Sequence, residues 1–446
     1  VKKILVLGAG LVSRPMVRYL LNVPDFEVVV ASRTVSKAQE LVGTHERGRA
    51  LALNVDDDAA LGRLVSESDL AVSLLPYTYH VKVAMHCLKY RKPLVTTSYV
   101  SDAMRALDAQ AKAAGVIFLN EIGLDPGIDH MSAMKIIHEV QRAGGTVTSF
   151  MSYCGGLPAP EANDNPLGYK FSWSPKGVVM AGRNDARYLK GGKEVFVPGA
   201  DLFGHRWPLK VADGFEFEAY PNRNSLPYID TYGLTGARTM FRGTLRNFGW
   251  CETIKAIADL GVLKDDTVRT GIGNLTPAAW LRGYAPGPGT LRADVAARLG
   301  MRENDPVIER FAWLGLFDEK PIGLEQGSNL DVLAKQMLDR MAYKPRERDM
   351  IVLHHEFVAE TPQASSSRPQ TQCIHSTLIA FGEPGGDSAM ARTVSLPAAI
   401  GVRMILHGEL KLTGVQIPVV PEIYEPVLAE LTRLGIECKE RKAPAS

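Results

Sequence analysis

Cysteine is scarce in this sequence. Cys87, Cys154, Cys251, Cys373 and Cys438 are the five in 446 residues. Their number is odd, their spacing is wide, and no pair has zinc-ligand separation. That argues against a disulfide framework and for a reducing compartment. Net charge is nearly absent as well. Lys and Arg total 51 against 49 for Asp and Glu, a balance of +2. No general basic field therefore points to nucleic acid. No apolar stretch reads as long enough to span a bilayer. The opening Val1-Lys2-Lys3 followed by an apolar run has the look of a signal peptide. Gly8 interrupts it at once and no small-residue cleavage pattern follows. The expectation is a soluble cytosolic protein with no nucleic-acid or membrane partner and no bound metal. What is present is ordinary for a globular chain: 46% hydrophobic and 22% charged residues. The length implies two or three domains.

Residues 4–7 read as a buried strand, followed by Gly8-Ala9-Gly10-Leu11-Val12-Ser13. A third glycine is missing from this loop; Ser13 takes its place. Gly8 permits a tight turn, and Gly10 lets backbone approach a pyrophosphate at the next helix N-terminus. The motif alone is weak. Its setting strengthens it: a strand before, an amphipathic helix at 17–21, and a second strand at 27–31. A further absence then matters. An NAD site usually ends that second strand in Asp or Glu, which holds the ribose hydroxyls. Here the residues are Ser32-Arg33-Thr34, with Lys37 one turn on. A guanidinium and two hydroxyls suit a 2′-phosphate, so NADP(H) is favoured over NAD(H). The alternative is a solvated surface arginine.

Strands at 49–55, 69–75, 93–97 and 115–119 complete a six-stranded doubly wound unit. Asp56-Asp57-Asp58 reads as capping and dipole residues. The strand ends carry Tyr77, Ser98, Tyr99 and Asp125, all on the ligand edge. Residues 120–130 form a pivot where the last strand turns into a helix at 128–140. Asp125 and Pro126 have the types expected at an N-cap and first helical position. Residues 146–153 alternate as a strand. Residues 154–175 read as a long loop rich in Pro, Gly and aromatics, a kind that is usually functional. Strands are expected around 195–197 and 215–217, and helices over 253–343. Residues 350–360 and 373–381 pair across a polar tip at 361–371. A long apolar helix at 388–406, a last helix at 423–434 and a charged tail complete the chain.

These motifs resemble the saccharopine reductase family, the NADP-dependent, glutamate-forming saccharopine dehydrogenases. The residues that carry the resemblance include Gly8-Ala9-Gly10 with Arg33, and Thr96-Thr97-Ser98-Tyr99-Val100-Ser101. The pivot and the 154–175 loop follow. Tyr220-Pro221-Asn222-Arg223, Arg242-Gly243-Thr244-Leu245-Arg246 and Gly385-Gly386-Asp387-Ser388 complete the set. The resemblance implies an α/β fold: an N-terminal Rossmann sheet over 1–125, with 388–446 docking back on it. It implies a mixed-sheet α/β substrate domain over 126–250 and 346–387, and an α-helical insertion over 251–345. The implied reaction condenses glutamate with 2-aminoadipate 6-semialdehyde (allysine) and reduces the imine with NADPH to saccharopine. A homodimer through the α/β domain fits the same reading.

By the resemblance, Gly8, Ala9, Gly10, Leu11, Val12, Ser32, Arg33, Thr34, Asn54, Val55, Leu75, Thr97, Ser98, Leu124, Asp125 and Trp173 border the cofactor. Pro76, Tyr77, Ser98, Tyr99, Asp125, Arg223 and Thr244 border the substrate, with Arg223 and Thr244 as carboxylate anchors. The alternative for Arg223 is an internal ion pair. Asp125, Tyr99 and Cys154 are the candidates for proton transfer. Each has a second reading: Asp125 as a helix cap, Tyr99 as a carboxylate holder, Cys154 as a small buried residue. His354 and His355 are adjacent in a strand and point to opposite faces, so they do not share a metal. Two other functions stay open: a related reductase using another amine and aldehyde, and an NADP-bound sensor without turnover.

Overall fold

The apolar runs of the first third become strands covered on both sides. In this computed structural model, all residues are described except 174, 182, 265, 364, 365, 445 and 446; at 176, 181, 363, 366–368 and 444 the description is of backbone alone. The chain divides into two units, one of residues 1–145 and 386–439, the other of 146–385 and 440–446.

The first unit alternates strand and helix: β1 (Lys2–Leu7), α1 (Ser13–Leu21), β2 (Phe26–Ser32), α2 (Val35–Val42), β3 (Gly48–Ala52), α3 (Asp58–Ser66), β4 (Leu70–Ser73), α4 (His80–Tyr90), β5 (Leu94–Thr96), α5 (Asp102–Arg105), α6 (Asp108–Ala114), β6 (Ile117–Leu119) and α7 (Ile128–Arg142). The sheet has seven strands, in the order Gly414–Gln416, β6, β5, β4, β1, β2, β3. All pairs are parallel. Ile4 to Leu7 are fully buried, as expected where helices cover both faces. The order reverses between β1 and β4, and such a switch point opens a ligand crevice at the strands' carboxyl ends. The seventh strand, from the far end of the chain, adds to the six read from sequence. Asp57 caps α3 by accepting from Ala60 N–H at 3.0 Å.

The helix Ala389–Leu406 corrects one expectation. It is 18 residues long with a mean hydropathy of 1.3, enough by length and composition to cross a membrane. Yet 72% of it is buried inside this unit, where it packs on α1, β4 and β5. It is built as a core helix. The unit also ends later than the expected boundary at 125. It keeps α7, which packs on the helix Pro421–Arg433 and joins it through His138 Nδ1 and the Tyr424 hydroxyl at 2.9 Å.

The second unit is a nine-stranded mixed sheet with helices. Its main path runs Trp207–Ala212, Phe215–Pro221, Thr239–Arg246, Thr146–Pro158, Asp349–Gln363, Ser366–Phe381 and Lys439–Pro444. The charged tail is thus an edge strand. The expected helical insertion has no core of its own. Val307, Phe311, Leu333 and Met337 share one cluster with Tyr153, Leu157, Phe217 and Leu245 of the sheet. The expected loop at 154–175 begins later than read, because the first strand runs on to Pro158. A side chain at Gly155 would meet the Leu245 carbonyl at 2.8 Å, so glycine here serves strand contact and does not break the strand. The polar tip is likewise strand, with Glu360 opposite Thr371 and Thr361 opposite Gln370; Ala364 and Ser365 lie outside the described residues.

Candidate active site

The loop between β1 and α1 has the form of a phosphate cradle. Gly8 sits at φ +112°, and a Cβ there would lie 3.0 Å from the Leu74 carbonyl. At Gly10 a Cβ would meet nothing within 4 Å, which leaves the backbone open to a ligand. Ser13 Oγ ties the turn. It accepts from Gly10 N–H at 3.1 Å and donates to the Gly8 carbonyl at 3.3 Å. Val12 precedes α1 without a side-chain cap, and the first turn holds no acid. Unpaired N–H groups and the helix dipole there favour an anion. Leu11 is 71% exposed and Ala9 partly exposed.

Past β2, Arg33 and Thr34 are exposed and Ser32 half-buried. Thr34 N–H bonds Ser32 Oγ at 3.3 Å. With no carboxylate at this strand end, the residues fit a 2′-phosphate. Asn54 is exposed after β3, whereas the Val55 side chain enters the apolar core beside Leu61. Only the Val55 backbone is left for a ligand. Leu75 packs on the same core; Pro76 and Tyr77 are exposed.

At the ends of β5 and β6 the structure brings two predicted residues together. The Tyr99 hydroxyl donates to Asp125 Oδ1 at 2.8 Å. Asp125 is not the cap of α7. The helix begins at Ile128, and Gly127 precedes it at φ +147°. A Cβ on Gly127 would lie 2.0 Å from the Gly123 carbonyl, so only glycine makes this turn. Asp129, not Asp125, takes the Gly127 N–H, at 2.6 Å. The Asp125–Pro126 peptide is cis. Leu124 is buried and Thr97 half-buried.

Two supports for this pair lay outside the sequence reading. Glu121 Oε1 accepts the Val100 N–H at 2.9 Å, next to Tyr99. Its Oε2 meets His130 Nε2 at 2.8 Å, with both residues buried. Ser98 Oγ bonds His80 Nε2 at 2.9 Å, and His80 Nδ1 bonds Ser73 Oγ at 2.8 Å. Burial pushes the His80 imidazole down to about 4, so the ring is neutral at pH 7. A histidine opening a helix gave no sequence sign of this network.

In the second unit, Thr244 lies opposite Cys154 in the parallel register and opposite Tyr220 on its other side. Residues two apart on a strand share a face, so Arg246 joins Thr244. Arg246 is buried. Its guanidinium lies over the rings of Tyr169, at 4.9 Å, and Trp250, at 5.6 Å. Nη1 donates to the Leu245 carbonyl at 2.8 Å. Among the described residues, Arg246 Nε, the Tyr169 hydroxyl, Trp250 Nε1 and Ser172 Oγ are buried without a hydrogen-bond partner. Burial pushes the Tyr169 and Tyr220 phenols up, so both stay protonated donors. A buried cation with unmet donors is costly alone and suits a carboxylate ligand. Arg246 was absent from the expected anchors although its motif was in view; its spacing from Thr244 was the usable signal. Arg223 is exposed, with φ +56°. Trp173 packs on the second unit's core. Cys154 is half-buried in its strand, and none of the five cysteines is in a disulfide.

A switch-point cradle, an arginine past β2 and a phenol–carboxylate pair at the strand ends define an NADP(H)-dependent oxidoreductase. Comparison with known proteins gives its kind. A model of the saccharopine dehydrogenase NADP-binding domain matches residues 4–119, and one of the saccharopine dehydrogenase C-terminal domain matches 123–436. The chain is 41% identical over 99% of both lengths to saccharopine dehydrogenase [NADP(+), L-glutamate-forming] of Saccharomyces cerevisiae. Identity is 36% to alpha-aminoadipic semialdehyde synthase of Mus musculus, over 98% of this chain and 47% of that one. The apo structure of the S. cerevisiae enzyme superposes with a TM-score of 0.89 at 40% identity, covering 99% of this chain and all of that one. The chain belongs to the saccharopine dehydrogenase family.

Proposed function

We propose that this protein catalyses the reversible, NADPH-dependent condensation of L-glutamate with allysine to saccharopine, in lysine metabolism by the aminoadipate pathway. The observation that carries this reading is the Tyr99–Asp125 pair, bonded at 2.8 Å on the same sheet edge as the cofactor cradle. Likeness to the L-glutamate-forming enzymes over almost the whole chain supports it. Gly8 to Val12 would hold the pyrophosphate and Arg33 with Ser32 and Thr34 the 2′-phosphate. The bound cofactor supplies a hydride to the imine carbon.

The remaining chemistry is proton movement and anchoring. Asp125 takes a proton from the glutamate ammonium, which frees the amine to attack the aldehyde carbon. The Tyr99 hydroxyl gives a proton to the carbinolamine oxygen, so it leaves as water, and Asp125 restores the phenol. Cys154 is the third proton-transfer candidate. His80 fixes Ser98, which with Pro76, Tyr77 and Thr97 borders the reacting group. Arg246, Arg223 and Thr244 bind carboxylates. Saccharopine carries three carboxylates, and fork-shaped donors suit them. Positioning supplies much of the rate.

NADPH absorbance followed with allysine plus glutamate, then with each replaced in turn, tests the reading. Oxidation should require both. Oxidation with another amine alone would move the assignment to a related imine reductase; NADPH binding without oxidation would make the chain a sensor. A cytosolic location and a homodimer through the second unit belong to the same proposal. The absence of disulfides supports the former. Sedimentation of the purified chain tests the latter.

A further inference from the structure

Three side chains of the second unit gather away from the substrate groups. His354 and Glu356 are two apart on the strand Asp349–Gln363 and so share a face. His375, on Ser366–Phe381, lies directly opposite Glu356. One ligand-type atom from each falls within 4.8 Å of the others. The register puts His354 beside Tyr153, and Cys154 beside Leu353. Alternation therefore places this trio on the sheet face opposite Cys154 and Thr244.

We propose that His354, Glu356 and His375 bind a divalent metal ion of the zinc class. The donor set, two imidazoles and one carboxylate, is one that zinc takes with a position left for water. Zinc bonds of about 2.0–2.1 Å at tetrahedral angles put neighbouring ligand atoms about 3.3 Å apart. His354 Nε2 already lies 3.4 Å from Glu356 Oε1. The other separations, at most 4.8 Å, close by side-chain rotation. A second observation concerns the other ring nitrogen. His354 Nδ1 is bonded to Thr377 Oγ1 at 2.8 Å, the outer hydrogen bond that ligating histidines make through the nitrogen away from the metal. That leaves Nε2 to the ion. The His354 and His375 rings stack at 5.6 Å and 24°. His354 is buried, while Glu356 and His375 are partly open to solvent and give an entry path.

The test uses the full chain freed of metal by a chelator. Zn²⁺ affinity is read by competition with a chromophoric chelator, and Co²⁺ by its visible spectrum. One equivalent should bind, with no thiolate charge-transfer band. His375→Ala and Glu356→Gln should each weaken binding at least tenfold. Thr377→Val, which keeps all three ligands, should weaken it by about 10- to 100-fold, the cost typical of a lost outer partner. Metal-free melting temperatures matching the parent show that the variants fold. Absence of stoichiometric binding, unchanged affinity in folded His375→Ala and Glu356→Gln, or a thiolate band would each overturn the proposal.

Discussion

The phenol of Tyr99 and the carboxylate of Asp125, 26 residues apart in sequence, meet at 2.8 Å beyond the ends of β5 and β6. Gly127, not Asp125, stands at the N-cap position of α7, and its N–H goes to Asp129. Tyr99→Phe and Asp125→Asn should each lower kcat by about 10²-fold, the low end of general acid–base effects. NADPH affinity should not change. Fluorescence titration of NADPH beside steady-state rates separates the two; equal losses in cofactor binding would remove the proton-transfer role.

Arg246 is the strongest candidate for a carboxylate anchor. Its guanidinium is buried between Tyr169 and Trp250, with Nε unmet. Arg246→Lys keeps the charge and loses the planar fork. Loss of a hydrogen bond to a charged group costs about 1.5–3 kcal/mol. We expect kcat/KM to fall by roughly 10- to 100-fold, mainly through KM for glutamate or allysine. A variant with unaltered KM for both would refute the anchor.

Arg33 is the proposed ligand of the 2′-phosphate. Arg33→Asp replaces a phosphate ligand with a repelling charge. The ratio of kcat/KM for NADPH over NADH should fall at least tenfold. An intact preference would place the 2′-phosphate elsewhere.

His80 predicts an acid limb. Its imidazole ionises at about 4 when folded, against 6.5 for an ordinary histidine. The unfolded chain therefore takes up this proton first as pH falls. The stabilisation is whole above pH 6.5, shrinks between 6.5 and 4, and is gone below. At about 1.4 kcal/mol per pKa unit it amounts to roughly 3 kcal/mol. Urea unfolding across that range should show a steeper loss for the parent than for His80→Gln; parallel curves would contradict this.

Glu121 and His130 make a buried pair. His130→Ala removes one partner of a buried carboxylate, at a cost of about 3–5 kcal/mol. Thermal unfolding should show the loss. Activity should fall as well, because Glu121 also holds the Val100 N–H beside Tyr99.

Much of the first unit was legible because its strands are short apolar runs and its turns carry glycine. Gly8, Gly10 and Arg33 follow from local rules at one loop and one strand end. The pivot differs in detail from its sequence pattern: Asp125-Pro126 has the residue types of a helix start, while Gly127 supplies the only backbone that fits. Gly155 and Pro158 read as strand breakers, yet Gly155 is there because Leu245 comes so close. His80, Glu121 and His130 carried no local sign, since their roles rest on contacts made only after the sheet forms. The strand Gly414–Gln416 is three residues long, too short for any period to show.

The most direct test supplies allysine, glutamate and NADPH deuterated at the transferred position, and weighs the product. The account predicts saccharopine with one deuterium on the former aldehyde carbon, formed only when both substrates are present. Unlabelled saccharopine, a different condensation product, or no product with this pair would contradict it.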